Sequence, residues 1–179
     1  MPEFKIDSTW TLFLDRDGVI NERNFEGYIT SVNDFIFLPN AIEGLIKLSQ
    51  QFSKIIIVTN QQGVGKKIMT EETLNEIHTY MIECLSKEGV IIDKVYFASN
   101  LRGAKVDRRK PNSAMALEAK KDFPEIDFKH SVMVGDTSSD LKFGMNLGMK
   151  TVLIKSKENV DLIPDLKVKH LKELADVFN

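Results

Sequence analysis

Apolar residues along this chain fall into two alternating patterns. Short runs at Trp10 to Leu14, Ile55 to Val58, Ser131 to Val134 and Thr151 to Ile154 read as strands, and the unbroken β-branched run Ile55-Ile56-Ile57-Val58 has the pattern of one covered on both faces. Between them, apolar residues recur at helical spacing. Asn40 predicts the cap of a helix running to about Gln51, with Ile42, Leu45, Ile46 and Leu48 as its buried stripe. Thr70 opens another as a capping box, with Thr73 where Glu or Gln is ideal and Glu71 and Glu72 near the positive helix end. Its stripe is Leu74, Ile77, Met81 and Leu85, and Gly89 follows its end. Val90 to Ala98 contains a further strand. Pro111 is expected to start a helix through about Lys121, Asp136 or Thr137 one to Leu147, and His170 a terminal one to Val177. This alternation predicts an α/β fold, a Rossmann-like three-layer sandwich around a central parallel sheet, with residues 1–179 as one domain.

Composition narrows the class without fixing the chemistry. With 179 residues, 42% hydrophobic and 28% charged, the chain can bury a sizeable core. A formal net charge of -2 gives no electrostatic footprint for nucleic acid. Cys84 is the one cysteine, which rules out an intramolecular disulfide and suits a reducing compartment. The N-terminus has no basic region followed by an apolar run, and no stretch approaches the roughly 20 apolar residues of a membrane span. The expectation is a cytoplasmic protein, monomeric or weakly oligomeric, that binds neither membrane nor nucleic acid. Met133, Met145 and Met149 read as core filling, and Cys84 as inert on a helix.

The chemistry sits where the strands end. The first closes on Asp15-Arg16-Asp17-Gly18: side chains at i and i+2 of an extended chain point the same way, so the two carboxylates converge. Gly18 allows the turn that follows. Like charges so placed repel unless a cation or proton lies between them. The second strand gives Thr59-Asn60-Gln61, and the fourth gives Gly135-Asp136 with Asp140 one helical turn on. Lys110 lies in the loop after the third strand. A parallel sheet brings such positions to one edge, where ligands bind. Oxygen ligands favour a hard cation, and Mg2+ fits two or three carboxylates plus waters. With a hydroxyl and an ammonium beside it, such a site suits phosphoryl transfer. One carboxylate can attack phosphorus, and another can protonate the leaving oxygen and later activate water.

These four motifs, in this order over roughly residues 9 to 155, resemble the haloacid dehalogenase superfamily of phosphatases. Asp-Arg-Asp-Gly-x-Ile-Asn, Val-Thr-Asn-Gln-x-Gly and Arg-Lys-Pro are similar to the subfamily of heptose-bisphosphate and histidinol-phosphate phosphatases, which have a minimal cap. The short spacing between Asp17 and the first helix agrees. The resemblance implies that Asp15 is nucleophile and metal ligand, and that Asp17 is general acid/base and offers a backbone carbonyl to the metal. It implies that Thr59 holds phosphoryl oxygens with Asn60 and Gln61 nearby, and that Lys110 neutralises nucleophile and phosphoryl group. Asp136 then ligates Mg2+ and Asp140 supports it. Arg109, Gly27 and Tyr28 match substrate-recognition positions, in a loop about two residues longer here.

Two departures stand out. Val19 replaces a common Thr, and Ser99 to Arg109 lacks the three Cys and one His with which that subfamily typically holds a structural zinc. His78, His130 and His170 lie elsewhere, so no zinc is expected. The loop carries Arg102, Lys105, Arg108 and Arg109 instead, which could bind a second phosphate and favour a sugar bisphosphate, with histidinol phosphate as the alternative. Two long loops, Glu22 to Pro39 and Ser99 to Arg109, are candidates for such a role. Gly63-Val64-Gly65-Lys66 hints at a phosphate nest but reads as a flexible loop without the full P-loop pattern. A phospho-accepting receiver also uses Asp, Thr and Lys around Mg2+, but there the phosphorylated Asp follows the acidic pair; here Asp15 comes first.

Overall fold

In the computed structural model, which describes residues 4–178, the apolar runs form the inner strands of one six-stranded, all-parallel sheet. The strands are β1 (Thr11–Leu14), β2 (Lys54–Asn60), β3 (Lys94–Ala98), β4 (Ser131–Gly135), β5 (Lys150–Ile154) and β6 (Leu166–Val168). The helices are α1 (Ala41–Leu48), α2 (Gln62–Gly65), α3 (Glu71–Lys87), α4 (Ala114–Asp122), α5 (Ser138–Leu147) and α6 (Leu171–Val177).

Alternation along each strand builds two cores. Leu12, Leu14, Ile55, Ile57, Val132 and Val134 pack with Leu45 and Leu48 of α1, Ile77, Met81 and Leu85 of α3, and Leu171 and Leu174 of α6. Phe13, Ile56, Val58 and Met133 face the other way, onto Met115, Ala116 and Ala119 of α4 and Phe143 of α5. Both faces are covered, which is why the strands read as unbroken apolar runs.

The strand order is β3-β2-β1-β4-β5-β6. The chain moves from β1 to one edge and then returns to place β4 on the other side of β1. That reversal opens a crevice beyond the carboxyl ends of β1 and β4. Leu14 is level with both Ile57 and Val134, and Asp15 N donates to Val134 O at 2.9 Å. The polar residues that follow these strands therefore emerge together.

Several local expectations change. Asn40 precedes α1 in a left-handed conformation and gives no side-chain cap, and α1 ends at Leu48 with turns through Gln51. Ile42 and Ile46 are only half-buried. The helix expected at Pro111 begins at Ala114, because Arg109 to Asn112 is a turn closed by Asn112 N on Arg109 O at 2.8 Å. Gly63 to Lys66 is no open loop, since residues 62–65 form the short α2. The strand β6 carried no signal: it is three residues long, with Lys167 exposed at its centre. Met145 is 40% exposed on the outer side of α5, whereas Met133 and Met149 are buried. Half of the capping box of α3 forms: Thr70 Oγ1 accepts Thr73 N at 3.1 Å, with Thr73 Oγ1 turned to Thr70 Oγ1 at 3.1 Å. Among the described residues no helix is long and apolar enough to cross a membrane.

Candidate active site

β1 delivers Asp15 to the floor of a cavity of about 610 Å³, together with Asp17 and Lys110. Asp15 Oδ1 accepts Arg16 N at 2.8 Å and lies 2.9 Å from Lys110 Nζ. Lys110 comes from the far side of the loop after β3. Its backbone is gripped by Asn60 at the end of β2, which accepts Lys110 N at 2.9 Å and donates to Lys110 O at 3.2 Å. Its ammonium then reaches under the floor to Asp140 Oδ1 at 2.6 Å and Val58 O at 2.7 Å. Burial works against the Lys110 charge, but Asp140 and Asp15 more than reverse this and raise its pKa.

Asp15, Asp136 and Asp140 each present an oxygen within 4.8 Å of the others. Two glycines make that approach possible. Gly18 has φ +88, and a Cβ there would lie 2.4 Å from Asp136 Oδ2; one on Gly135 would lie 2.1 Å from Asp140 Cβ. Asp140 is fully buried and carries a second duty. Its Oδ2 accepts Thr137 N at 3.0 Å and Thr137 Oγ1 at 2.6 Å, the capping box of α5. Asp136 is also fully buried; its Oδ2 accepts from Arg23 Nη1 at 3.3 Å, while its Oδ1 has no hydrogen-bond partner. Burial, then Asp15 and Asp140, push the Asp136 pKa up to about 7. Burial pushes Asp15 to about 6, with Lys110 opposing. A sealed, unpartnered carboxylate oxygen between two further carboxylates is a costly arrangement that a hard divalent cation resolves. The donor set therefore fits Mg2+.

Asp17 belongs to a different network. Its oxygens accept from Arg16 Nη2 at 3.0 and 3.1 Å, Asn21 Nδ2 at 2.9 Å and Gln61 Nε2 at 2.8 Å. Burial pulls its pKa up, but Arg16, Asn21 and Gln61 together hold it below the usual carboxylate value. Arg16 is itself fully buried and donates through Nη1 to His78 Nε2 on α3 at 3.1 Å. Burial and the Arg16 charge depress the His78 pKa to about 3, so the ring stays neutral and can accept. Nothing in the sequence marked this Arg16–His78 contact, because the two residues are far apart in the chain.

Thr59 stands next to last in β2, at the strand end where it was expected. Its hydroxyl is buried and accepts Gln61 Nε2 at 3.0 Å, and it does not line the cavity, whereas Asn60 and Gln61 do. Gly27 and Tyr28 form part of the wall, with Lys66 Nζ 5.5 Å from the centre of the Tyr28 ring. The basic loop divides. Arg102 and Arg109 line the cavity, whereas Arg108 turns away to Glu118 at 2.6 and 2.7 Å, and Lys105 is exposed outside it. Arg109 is only 9% exposed, and its Nη1 has no partner. Burial, and then the neighbouring Arg102 charge, lower the Arg109 pKa. Two guanidinium groups lining one cavity favour an anion there. Arg23 was not foreseen: it bridges Asp136 to Glu158 Oε1, 3.3 Å from each, above the carboxylate cluster.

Known proteins carry the same arrangement of chain and fold. A model of HAD-hydrolase-like proteins matches residues 107–174. The D-glycero-alpha-D-manno-heptose-1,7-bisphosphate 7-phosphatase of Campylobacter jejuni is 33% identical over 174 residues, covering 95% of this chain and 96% of that protein. The D-glycero-beta-D-manno-heptose-1,7-bisphosphate 7-phosphatase of Helicobacter pylori is 31% identical over 173 residues, with 96% and 98% covered. In fold, the chain superposes on D,D-heptose 1,7-bisphosphate phosphatase from B. bronchiseptica, solved with magnesium and phosphate. The TM-score is 0.85 over 94% of this chain and 97% of that one, at 22% identity. The chain therefore belongs to the haloacid dehalogenase-like (HAD) phosphatases, in the family of the heptose-1,7-bisphosphate 7-phosphatases.

Proposed function

We propose that this phosphatase removes one phosphate from a heptose 1,7-bisphosphate, with Mg2+ as its cofactor and Asp15 as nucleophile. The observation that carries the reading is one cavity lined both by a carboxylate of the cation-binding cluster with its lysine and by a pair of arginines. Asp15 and Lys110 form one end, and Arg109, with an unpartnered Nη1 beside Arg102, forms the other. A substrate with a single anionic group leaves one end unsatisfied.

The carboxylates of Asp15 and Asp136, with the backbone carbonyl that the resemblance assigns to Asp17, would hold the ion, with Asp140 steadying the cluster through Lys110 and Thr137. Bound there, Mg2+ neutralises charge on the phosphoryl oxygens and lets an anionic nucleophile approach. Lys110 supplies a further positive charge to Asp15 and the transferring group. An Asp15 oxygen attacks phosphorus, the phosphorus–oxygen bond to the sugar breaks, and the departing oxygen takes a proton from Asp17. Asp17, now a carboxylate, removes a proton from water as that water attacks the phosphorus of the aspartyl-phosphate. Inorganic phosphate leaves, and Asp15 and protonated Asp17 are restored. The donors from Arg16, Asn21 and Gln61 favour the carboxylate form, which is the form the second step needs. To serve as acid in the first step, Asp17 must shed at least one of them. Gln61 is the donor that also covers the Thr59 hydroxyl, so its release unties both side chains. The other end favours a second phosphate over the imidazole of histidinol phosphate, because two cations line it.

The test measures phosphate release with Mg2+ from the alpha and beta anomers of heptose 1,7-bisphosphate, from the 7-phosphate and from histidinol phosphate. Both anomers belong in the panel because relatives of similar identity are named for each. The expected result is kcat/KM at least about tenfold higher for a bisphosphate than for either monophosphate. Equal turnover across the panel removes the bisphosphate preference.

A further inference from the structure

The chain from 99 to 109 passes from the end of β3 to Arg109 without helix or strand, yet two side chains tie its ends together. Asn100 Nδ2 donates to Asp107 Oδ1 at 2.9 Å, and Asn100 Oδ1 accepts Arg108 N at 3.3 Å. Asp107 Oδ1 also accepts Arg109 N at 3.0 Å, while its Oδ2 accepts Gly103 N at 3.4 Å. Neither side chain lines the cavity. The residues they fix are the ones that do: Arg109, buried with Nη1 unpartnered, and next to it Lys110 in the grip of Asn60. Two asparagines at the ends of adjacent strands thus hold consecutive stretches of the same turn. The segment between, around Leu101 and Val106, stays exposed.

We propose that Asn100 and Asp107 are positioning residues: their clasp presets Arg109 and so sets affinity for the anionic substrate group that Arg109 meets. An unclasped loop samples many conformations, and binding then has to order it. The clasp does this ordering beforehand and tightens binding without touching the substrate. The inference rests on the reading above that Arg109 grips a second phosphate.

The clasp can be opened from either side. Asn100→Asp sets two carboxylates against each other. Asp107→Ala takes away the oxygens that accept the Asn100 amide, the Gly103 N–H and the Arg109 N–H. Each variant is expected to raise KM for heptose 1,7-bisphosphate about tenfold or more, with kcat and KM for p-nitrophenyl phosphate within about twofold of the parent. Asn100→Asp combined with Asp107→Ala raises KM no further than the larger single change, because the two side chains act as one unit. Trypsin, which cuts after Arg102 and Lys105, digests each variant faster than the parent. If Asn100→Asp does not fold, Asp107→Ala carries the KM and trypsin comparisons alone. Arg109→Ala tests the second-phosphate reading separately. Should it leave the bisphosphate KM unchanged, that reading falls and this proposal with it. Should it raise KM while the clasp variants do not, or should the combined variant show the sum of the two single effects, the clasp alone is overturned.

Discussion

Lys110 Nζ lies 2.6 Å from Asp140 Oδ1, with both side chains sealed from solvent. A buried charge pair of this kind holds shape more than it adds stability, and breaking it is costly because one charge is left behind. Asp140→Asn is expected to lower unfolding free energy by about 3 kcal/mol in a urea titration. Thr137→Val, which removes only the side-chain half of the α5 capping box, costs about 1 kcal/mol. Equal losses for the two would show that Asp140 serves the helix alone.

Asp15→Asn tests the nucleophile. The amide keeps the size of the side chain and cannot carry the phosphoryl group, so turnover drops on the order of 10³-fold or more. The circular dichroism spectrum stays that of the parent. Retained turnover would defeat the assignment.

The carboxylate cluster makes stability depend on pH and metal together. Burial, more than any neighbour, places Asp15 at about 6 and Asp136 at about 7, both above the ordinary 3.8. Between those values the folded chain binds more protons than the unfolded one. The stability these groups contribute is therefore complete below about pH 4 and is lost as pH rises through 6 and 7. Mg2+ takes the ionised carboxylates, so its stabilising effect grows over the same window, reaching about 2.7 kcal/mol at a hundredfold excess over Kd. Thermal unfolding with EDTA and with Mg2+, at about pH 5 and about pH 7.5, is expected to show the larger Mg2+ shift at the higher pH. Equal shifts would remove Asp15 and Asp136 as ligands.

Gly18→Ala puts a methyl group where Asp136 Oδ2 now lies, at a residue with φ +88. The left-handed backbone alone costs about 1–2 kcal/mol. Displacing the carboxylate weakens Mg2+ binding on the order of 10- to 100-fold, measured by calorimetric titration. Unchanged affinity would place the ion away from Asp136.

The layers, the parallel sheet and the order of the motifs were legible because a strand covered on both faces leaves an unbroken apolar run. Ile55 to Val58 shows this most plainly, buried throughout. β6 left no such trace: Lys167 interrupts a strand at the sheet margin that is half solvated. The expected start of α4 failed because Pro111 is compatible with a helix and with the turn that forms. That turn is chosen by Asn60, which grips Lys110 from another strand. Arg108 and Arg109 are neighbours of the same type, yet Glu118 on α4 draws one away and Asp107 directs the backbone of the other toward the cavity.

By itself the sequence determined the alternation of strands and helices and the presence of carboxylates, hydroxyl and ammonium at strand ends, because periodicity and motif spacing are local properties of the chain. Tertiary structure alone decided which oxygens share the cation-sized gap and which are tied up elsewhere. Asp15, Asp136 and Asp140 meet there, whereas Asp17 is drawn to Arg16, Asn21 and Gln61. Those choices depend on distances of a few ångströms between residues far apart in the chain, and only the packed sheet sets such distances.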